Sequence, residues 1–191
     1  MTVFVLASAN PDKASEIRDI LGPGFDLLPR PGDVGEVDET GETLEDNARL
    51  KARALVVATG RPAIADDTGL EVDALGGAPG VRSARYSGAG ATYESNVAKL
   101  LAELTGRSDR RARFRTVALA AWPDGREVVA EGSVQGVITD RVRGSGGFGY
   151  DPVFAPDGQH RTFAEMTAAE KNAWSHRGRA FRALAAQLGP V

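Results

Sequence analysis

Cysteine is absent from this 191-residue sequence, which excludes disulfides, thiolate zinc centres and cysteine nucleophiles together. Histidine occurs only twice, too rarely for a histidine-rich metal site. Long apolar runs are missing: none approaches the roughly 20 residues that a membrane-spanning helix needs. The opening six residues carry neither the basic leader nor the long apolar stretch of a secretory signal. There is no excess of positive charge, since 23 basic and 26 acidic side chains leave a net charge of −3, which speaks against a general nucleic-acid binder. Lysine itself is scarce. Lys13, Lys51, Lys99 and Lys171 stand in a chain that otherwise chooses arginine, so each is a candidate for a place that needs a compact ammonium instead of a planar fork. Lys51 and Lys99 also read as plain helix-surface residues. The chemistry is thus left to carboxylates, lysine, arginine, hydroxyls and backbone, in a protein expected in the cytoplasm with no membrane and no nucleic acid among its partners.

What is present is an ordinary globular balance, 42% hydrophobic and 26% charged, which excludes disorder. A chain of this length can bury roughly 70% of its unfolded surface, enough for one self-sufficient domain over residues 1–191. An apolar run at 2–7 reads as a buried strand. Capping residues and Pro11 then lead into a helix at 12–21. A second strand is expected at 25–28, an acidic loop at 29–41 and a helix capped by Thr43 running to about Thr59. A short strand at 63–65 enters Asp66-Asp67-Thr68-Gly69, with another short strand at 70–72. Val97, Leu100, Leu101 and Leu104 recur at helical spacing, which predicts a helix over 92–104. Extended segments at 114–122 and 127–137 flank Pro123-Asp124-Gly125-Arg126, a hairpin signal. The tail from 167 to 188 is mostly helical and opens on Thr167 and Glu170 at capping-box spacing. The pattern is that of an α/β protein whose mixed sheet contains a long hairpin.

Three places carry candidate chemistry. The first is the turn from Ser8 to Lys13, at the carboxyl end of a strand where open α/β sheets bind ligands. A helix N-terminus there offers unpaired N–H groups and partial positive charge to a phosphate, with Ser8, Asn10 and Lys13 as further donors. The second is the pair Asp66-Asp67 at an apparent strand end. Adjacent carboxylates raise one another's pKa unless a cation compensates, and hard oxygens suit Mg²⁺, which binds through one or two carboxylates plus substrate phosphates. Glu36, Asp38, Glu39 and Glu42 form a nearby acidic stretch that, taken singly, reads as solvated loop. The third is Gly144–Gly149, which matches GxGxxG but is followed by an extended, proline-containing segment instead of a helix, so the dinucleotide reading fails. Two readings of it remain: a backbone-lined slot with Phe148 as a stacking face and Asp151 as an acceptor, or Phe148 packed in the core.

In the segment at 170–178, Lys171 and His176 would lie about 140° apart on one continuous helix, too far to serve one ligand. Either the helix breaks near Ser175 or the segment is a run of surface charge, and by itself the surface run is the favoured reading. The arginines between 107 and 115 read as a solvated loop and strand edge.

Together the motifs SANPDK at 8–13, ETGETLEDNARLKA at 39–52, ADDTGLEVDALGGAPGVRSARYSG at 65–88, GGFGYDPVF at 146–154 and EKNAWSHRGRA at 170–180 resemble those of the inosine triphosphate pyrophosphatase family, in the family's order and over nearly the whole chain. The resemblance implies an elongated mixed β-sheet flanked by helices, with two lobes and a cleft, and a homodimer. It also implies Mg²⁺-dependent hydrolysis of non-canonical purine nucleoside triphosphates to monophosphate plus pyrophosphate. Carried over, Ser8, Ala9, Asn10, Pro11, Asp12 and Lys13 bind triphosphate, Asp67 is general base and metal ligand, and Thr68 touches substrate. Phe148, Gly149, Tyr150 and Asp151 line the nucleotide slot, and Lys171, His176 and Arg177 contact nucleotide. Asp38 stands where a glutamate is expected, so the second metal ligand is either Asp38 or Glu39. Two other functions fit some of these residues. A catalytically silent nucleotide-binding regulator would need no Asp67, and a hydrolase of modified pyrimidine triphosphates would differ in its base pocket.

Overall fold

A computed structural model describes residues 2–189; Met1, Pro190 and Val191, the ends of the expected domain, lie outside the described residues. Five α-helices and seven strands are formed among the described residues. Strand β1 (Val3–Leu6) leads to helix α1 (Pro11–Leu21), β2 (Asp26–Leu28), α2 (Leu44–Thr59) and β3 (Ala63–Val72). Then come β4 (Pro79–Gly80), α3 (Tyr93–Glu103), β5 (Arg111–Ala121), β6 (Glu127–Ile138), β7 (Phe154–Pro156), α4 (Ala168–Trp174) and α5 (His176–Leu188). The sheet runs β2-β1-β3-β5-β6-β7, with β4 on β3. It is mixed: β1 is parallel to both β2 and β3, while β3–β4 and β6–β7 are antiparallel.

Local chemistry sets the helix ends. Asn10 caps α1, its Oδ1 accepting from the N–H groups of Asp12 at 2.9 Å and Lys13 at 3.1 Å, with Pro11 at the first helical position. Thr43 caps α2 through the Asp46 N–H, and Gly60 ends it in the left-handed conformation. Thr92 with Ser95, and Thr167 with Glu170, close reciprocal capping boxes on α3 and α4.

The chain forms two compact units. One comprises Met1–Asp67, Thr116–Gly132 and His176–Val191, the other Thr68–Arg115 and Ser133–Ser175. The first has a core of Phe4, Leu6, Ile17, Ile64, Phe181 and Leu184. The second packs Leu70, Leu100 and Val134 around an aromatic cluster, with the Phe114–Phe154 rings 4.7 Å apart and Phe154–Phe163 5.3 Å apart.

Two expectations from the sequence are corrected. The short strands at 63–65 and 70–72 are one strand, so Asp66 and Asp67 sit within β3 and not at its end. Strand geometry then turns the two carboxylates to opposite faces. The tail is interrupted: Ser175 is extended at ψ 156° between α4 and α5. Lys171, His176 and Arg177 are buried, which overturns the surface-charge reading of this run.

Candidate active site

In the first unit the opposed faces of β3 organise two charge clusters. Asp66 meets α1 and α5, with its Oδ2 3.6 Å from the Lys13 Nζ and 3.4 Å from one guanidinium nitrogen of Arg177, whose other terminal nitrogen donates to Glu16 at 2.6 Å. Both Asp66 and Arg177 are almost fully buried. A buried carboxylate is tolerable only when paired, and here two cations answer one carboxylate. Burial lowers the Lys13 ammonium below its ordinary pKa, with Asp66 opposing the shift.

Asp67 meets α2. Its Oδ1 lies 2.9 Å from Lys51 Nζ, and its Oδ2 accepts from Asn47 Nδ2 at 3.2 Å. The same ammonium is 2.8 Å from Glu39 Oε1. Burial pushes the Asp67 carboxyl above its usual range, against the pull of Lys51 and Lys13. Burial also works against the Lys51 charge, but the carboxylates of Asp67, Asp66 and Glu39 outweigh it and hold the ammonium above its ordinary value. Glu39 is therefore no solvated loop acid, and Lys51, with its side chain only 12% exposed, is no surface residue. Of this cluster, sequence reasoning missed Asn47 and left Lys51 between a needed ammonium and a helix-surface residue. The signal was their spacing: residues four apart share a helix face.

Among the described residues no group of three or more histidine, cysteine, aspartate or glutamate side chains is placed to hold a metal. Glu39 and Asp67 nonetheless fit a hard divalent cation that completes its shell with phosphate and water. The Lys51 ammonium marks the point where positive charge is wanted between these two carboxylates. Asp38 is exposed, whereas Glu39 turns inward.

The Ser8–Lys13 turn differs from its expected form in one respect. Asn10 takes the N–H groups of Asp12 and Lys13, its carbonyl takes that of Ala14, and Pro11 has none. The first turn of α1 is capped from within, because an asparagine side chain at this position reaches those donors first. What the turn offers an anion is the Lys13 ammonium and the positive end of the helix dipole. Ser8 Oγ bonds the backbone of Asn10, while Ala9, Pro11 and Asp12 are exposed. A cavity of about 410 Å³ opens beside this turn, lined by Leu6, Ser8, Ala14, Arg18, Arg30 and Val34.

In the second unit the glycine loop is built around Asp151. Its buried carboxylate accepts from the Phe148 N–H at 2.8 Å and pairs with the ammonium of Lys171, which is also buried. The Lys171 Nζ stands 4.6 Å from the centroid of the Phe148 ring, and Tyr93 lies against that ring at 5.8 Å. Phe148 is half-buried, neither sealed in the core nor free of it. Gly147 has φ +65°, and a Cβ there would lie 2.1 Å from the Asp151 Oδ2. The loop continues into a single helical turn at Asp151–Val153 and then β7, so no dinucleotide helix opens from it. The Tyr150 hydroxyl donates to the Ser83 carbonyl at 2.8 Å, Gly149 is at φ +62°, and Thr68 is half-buried on β3.

The expected site residues therefore fall into two sets. Ser8 to Lys13, Asp38, Glu39, Asp67, His176 and Arg177 belong to the first unit, and Thr68, Phe148 to Asp151 and Lys171 to the second.

A family model described as the Ham1 family matches residues 4–187. A dITP/XTP pyrophosphatase of Streptomyces coelicolor is 48% identical over 194 residues, covering 96% of each chain. One of Frankia alni is 51% identical over 197 residues, covering 98% of this chain and 97% of the other. Among solved structures, a HAM1 protein from Coxiella burnetii superposes with a TM-score of 0.90 at 40% identity, covering 98% of both chains. A nucleoside-triphosphatase (dITP/XTP pyrophosphatase) from Mycobacterium abscessus gives 0.76 at 44% identity, covering 99% of this chain and 100% of the other.

Proposed function

Since the chain belongs to the Ham1 family, we propose that it hydrolyses non-canonical purine nucleoside triphosphates, ITP, dITP, XTP and dXTP, to the monophosphate and pyrophosphate. Its relatives are named dITP/XTP pyrophosphatases over nearly their full length. The observation that carries the mechanism is the convergence of Glu39, from the loop before α2, and Asp67, from β3, on the Lys51 ammonium. A catalytically silent binding module would have no use for that arrangement.

Asp67 orients water and takes its proton as the water oxygen bonds to the α-phosphorus and the bond to the bridging oxygen of the β-phosphate breaks. Burial raises the Asp67 pKa and so favours a base, while a cation shared with Glu39 would pull the other way. Glu39 and Asp67 would hold Mg²⁺, which when bound neutralises phosphate charge. Lys13 and the positive end of α1 offset charge on the departing pyrophosphate, and Ser8 and Asn10 shape the turn that presents them. Phe148 supplies a face for the purine, in a loop fixed by Asp151 and Lys171 and flanked by Gly149 and Tyr150. His176 and Arg177 lie buried at the start of α5, with Arg177 paired to Asp66 and Glu16, so a contact of theirs with the nucleotide rests on the family resemblance, as does that of the Thr68 hydroxyl. Donors aimed at a 6-keto oxygen would be left unpaired by adenine, a penalty large enough for strong discrimination. The family resemblance supports a homodimer, and a role in the nucleotide pool supports a cytoplasmic location.

The test is a panel of ITP, dITP, XTP, ATP, GTP and dTTP with and without Mg²⁺, beside Asp67→Asn. The expected result is Mg²⁺-dependent IMP or XMP plus pyrophosphate, reduced by about 10²-fold or more in the variant. ITP binding without turnover would leave only the binding module, and preference for a pyrimidine would move the chain to the related hydrolases.

A further inference from the structure

The acidic stretch that carries Glu39 is tied down at both ends by side chains that the reaction itself does not use. At its start, the half-buried Arg30 guanidinium donates to the carbonyls of Val34, at 3.1 Å, and Gly35, and with its other arm to the carbonyl of Ala7, at 3.1 Å. Ala7 directly precedes the Ser8–Lys13 turn. At its end, the Gly41 N–H donates to Asn47 Oδ1 at 2.8 Å, while the same amide donates through Nδ2 to Asp67 at 3.2 Å. Asn47 is fully buried. Gly41 sits so close that a Cβ would lie 2.6 Å from the Asp46 Cβ and 2.7 Å from Asn47 Oδ1. Only residues 36–40 run between the two anchors, and Glu39 is the acid among them whose carboxylate is fixed on Lys51.

We infer that Arg30 and Asn47 are the two positioning residues of a strap that sets Glu39 against Asp67, and so determine divalent-cation affinity without touching the cation. The inference rests on the proposed metal role of Glu39 and Asp67. Arg30 registers the strap on the end of β1, and Asn47 registers it directly on the base. A guanidinium is needed at the first anchor because a lysine can reach one or two carbonyls but cannot fork across three. At the second, an amide is needed because one side chain must accept from Gly41 and donate to Asp67 at once, which aspartate cannot do. Partners one step removed from a metal typically change metal affinity or activity by about 10–100-fold.

The experiment compares wild type, Arg30→Lys, Arg30→Ala, Asn47→Asp and Asn47→Ala. Binding of Mn²⁺ is followed by the EPR signal of the free ion, and the Mg²⁺ concentration for half-maximal ITP hydrolysis is measured alongside. Both are expected to weaken by about tenfold or more in all four variants, Arg30→Lys included; saturating Mg²⁺ should restore kcat in the two Arg30 variants, whereas the Asn47 variants, which lose a hydrogen bond to the base, should lose kcat as well. Variants that melt earlier but keep wild-type Mn²⁺ affinity and Mg²⁺ dependence would reduce Arg30 and Asn47 to structural ties and overturn the inference. If the alanine variants do not fold, Arg30→Lys and Asn47→Asp decide. Wild type that binds no Mn²⁺ and needs no Mg²⁺ would sink the metal reading itself, an outcome separate from unaffected variants of a metal-dependent wild type.

Discussion

Lys51 is the residue on which the catalytic cluster turns, because one ammonium answers two carboxylates that would otherwise face each other. Lys51→Met should raise the Asp67 pKa further, since it removes the largest influence opposing burial. Asp67 acts ionised, so a higher pKa leaves less active base at a given pH. The acid limb of the kcat/KM profile should move to higher pH by about one unit or more, and an unchanged profile would show that Asp67 is not the titrating base. Gly147 is a second single point of control. Alanine there would need a left-handed backbone and would place its Cβ on the Asp151 carboxylate. Gly147→Ala should therefore displace the Phe148–Asp151 loop and raise the KM for ITP by about tenfold or more, with kcat less affected. Steady-state kinetics at saturating Mg²⁺ would check the split.

At the level of elements, α4 depends on a capping box that is also an electrostatic device. Glu170 accepts from Arg161 and, more weakly, from the Thr167 N–H, and these hold its carboxyl at about 2, below the ordinary 4.5. A depressed carboxylate contributes stability that is present above its unfolded pKa and lost as pH falls through the folded one. The difference in melting temperature between wild type and Glu170→Gln should therefore be full above pH 4.5 and disappear as pH falls towards 2. Thr167→Ala should cost about 1 kcal/mol in chemical denaturation. Elements of this kind were legible in the sequence, since Asn10, Thr43, Thr92 and Thr167 announce helices α1 to α4 through local chemistry alone. The elements misread are those whose cause is distant. β3 read as two short strands because Asp66-Asp67 breaks its apolar pattern, and the cations that make those carboxylates tolerable come from α1, α2 and α5. The buried run at 171–177 read as surface because the partners of Lys171 and Arg177 lie 20, 111 and 161 residues away. Motif order identified the family, but it left open which of Asp38 and Glu39 turns inward.

For the whole molecule, the relevant fact is that each compact unit has its own core while β3, β5 and β6 run through both. The division falls between Asp67 and Thr68, between Arg115 and Thr116, and between Gly132 and Ser133, in each case inside a strand of ten to twelve residues. If one unit melts alone, three strands lose their pairing part-way along, and backbone groups at the break give up ladder bonds to the neighbouring strands that fray with it. A linker between independent domains carries no such cost. Unfolding should therefore be a single calorimetric transition, with calorimetric and van't Hoff enthalpies equal. Phe181 lies in the first core and Phe154 in the second, both fully buried. Phe181→Ala and Phe154→Ala should each cost about 3–5 kcal/mol and move that one transition down as a whole. A variant that splits the transition, lowering one component and leaving the other in place, would show that the shared strands do not couple the two cores.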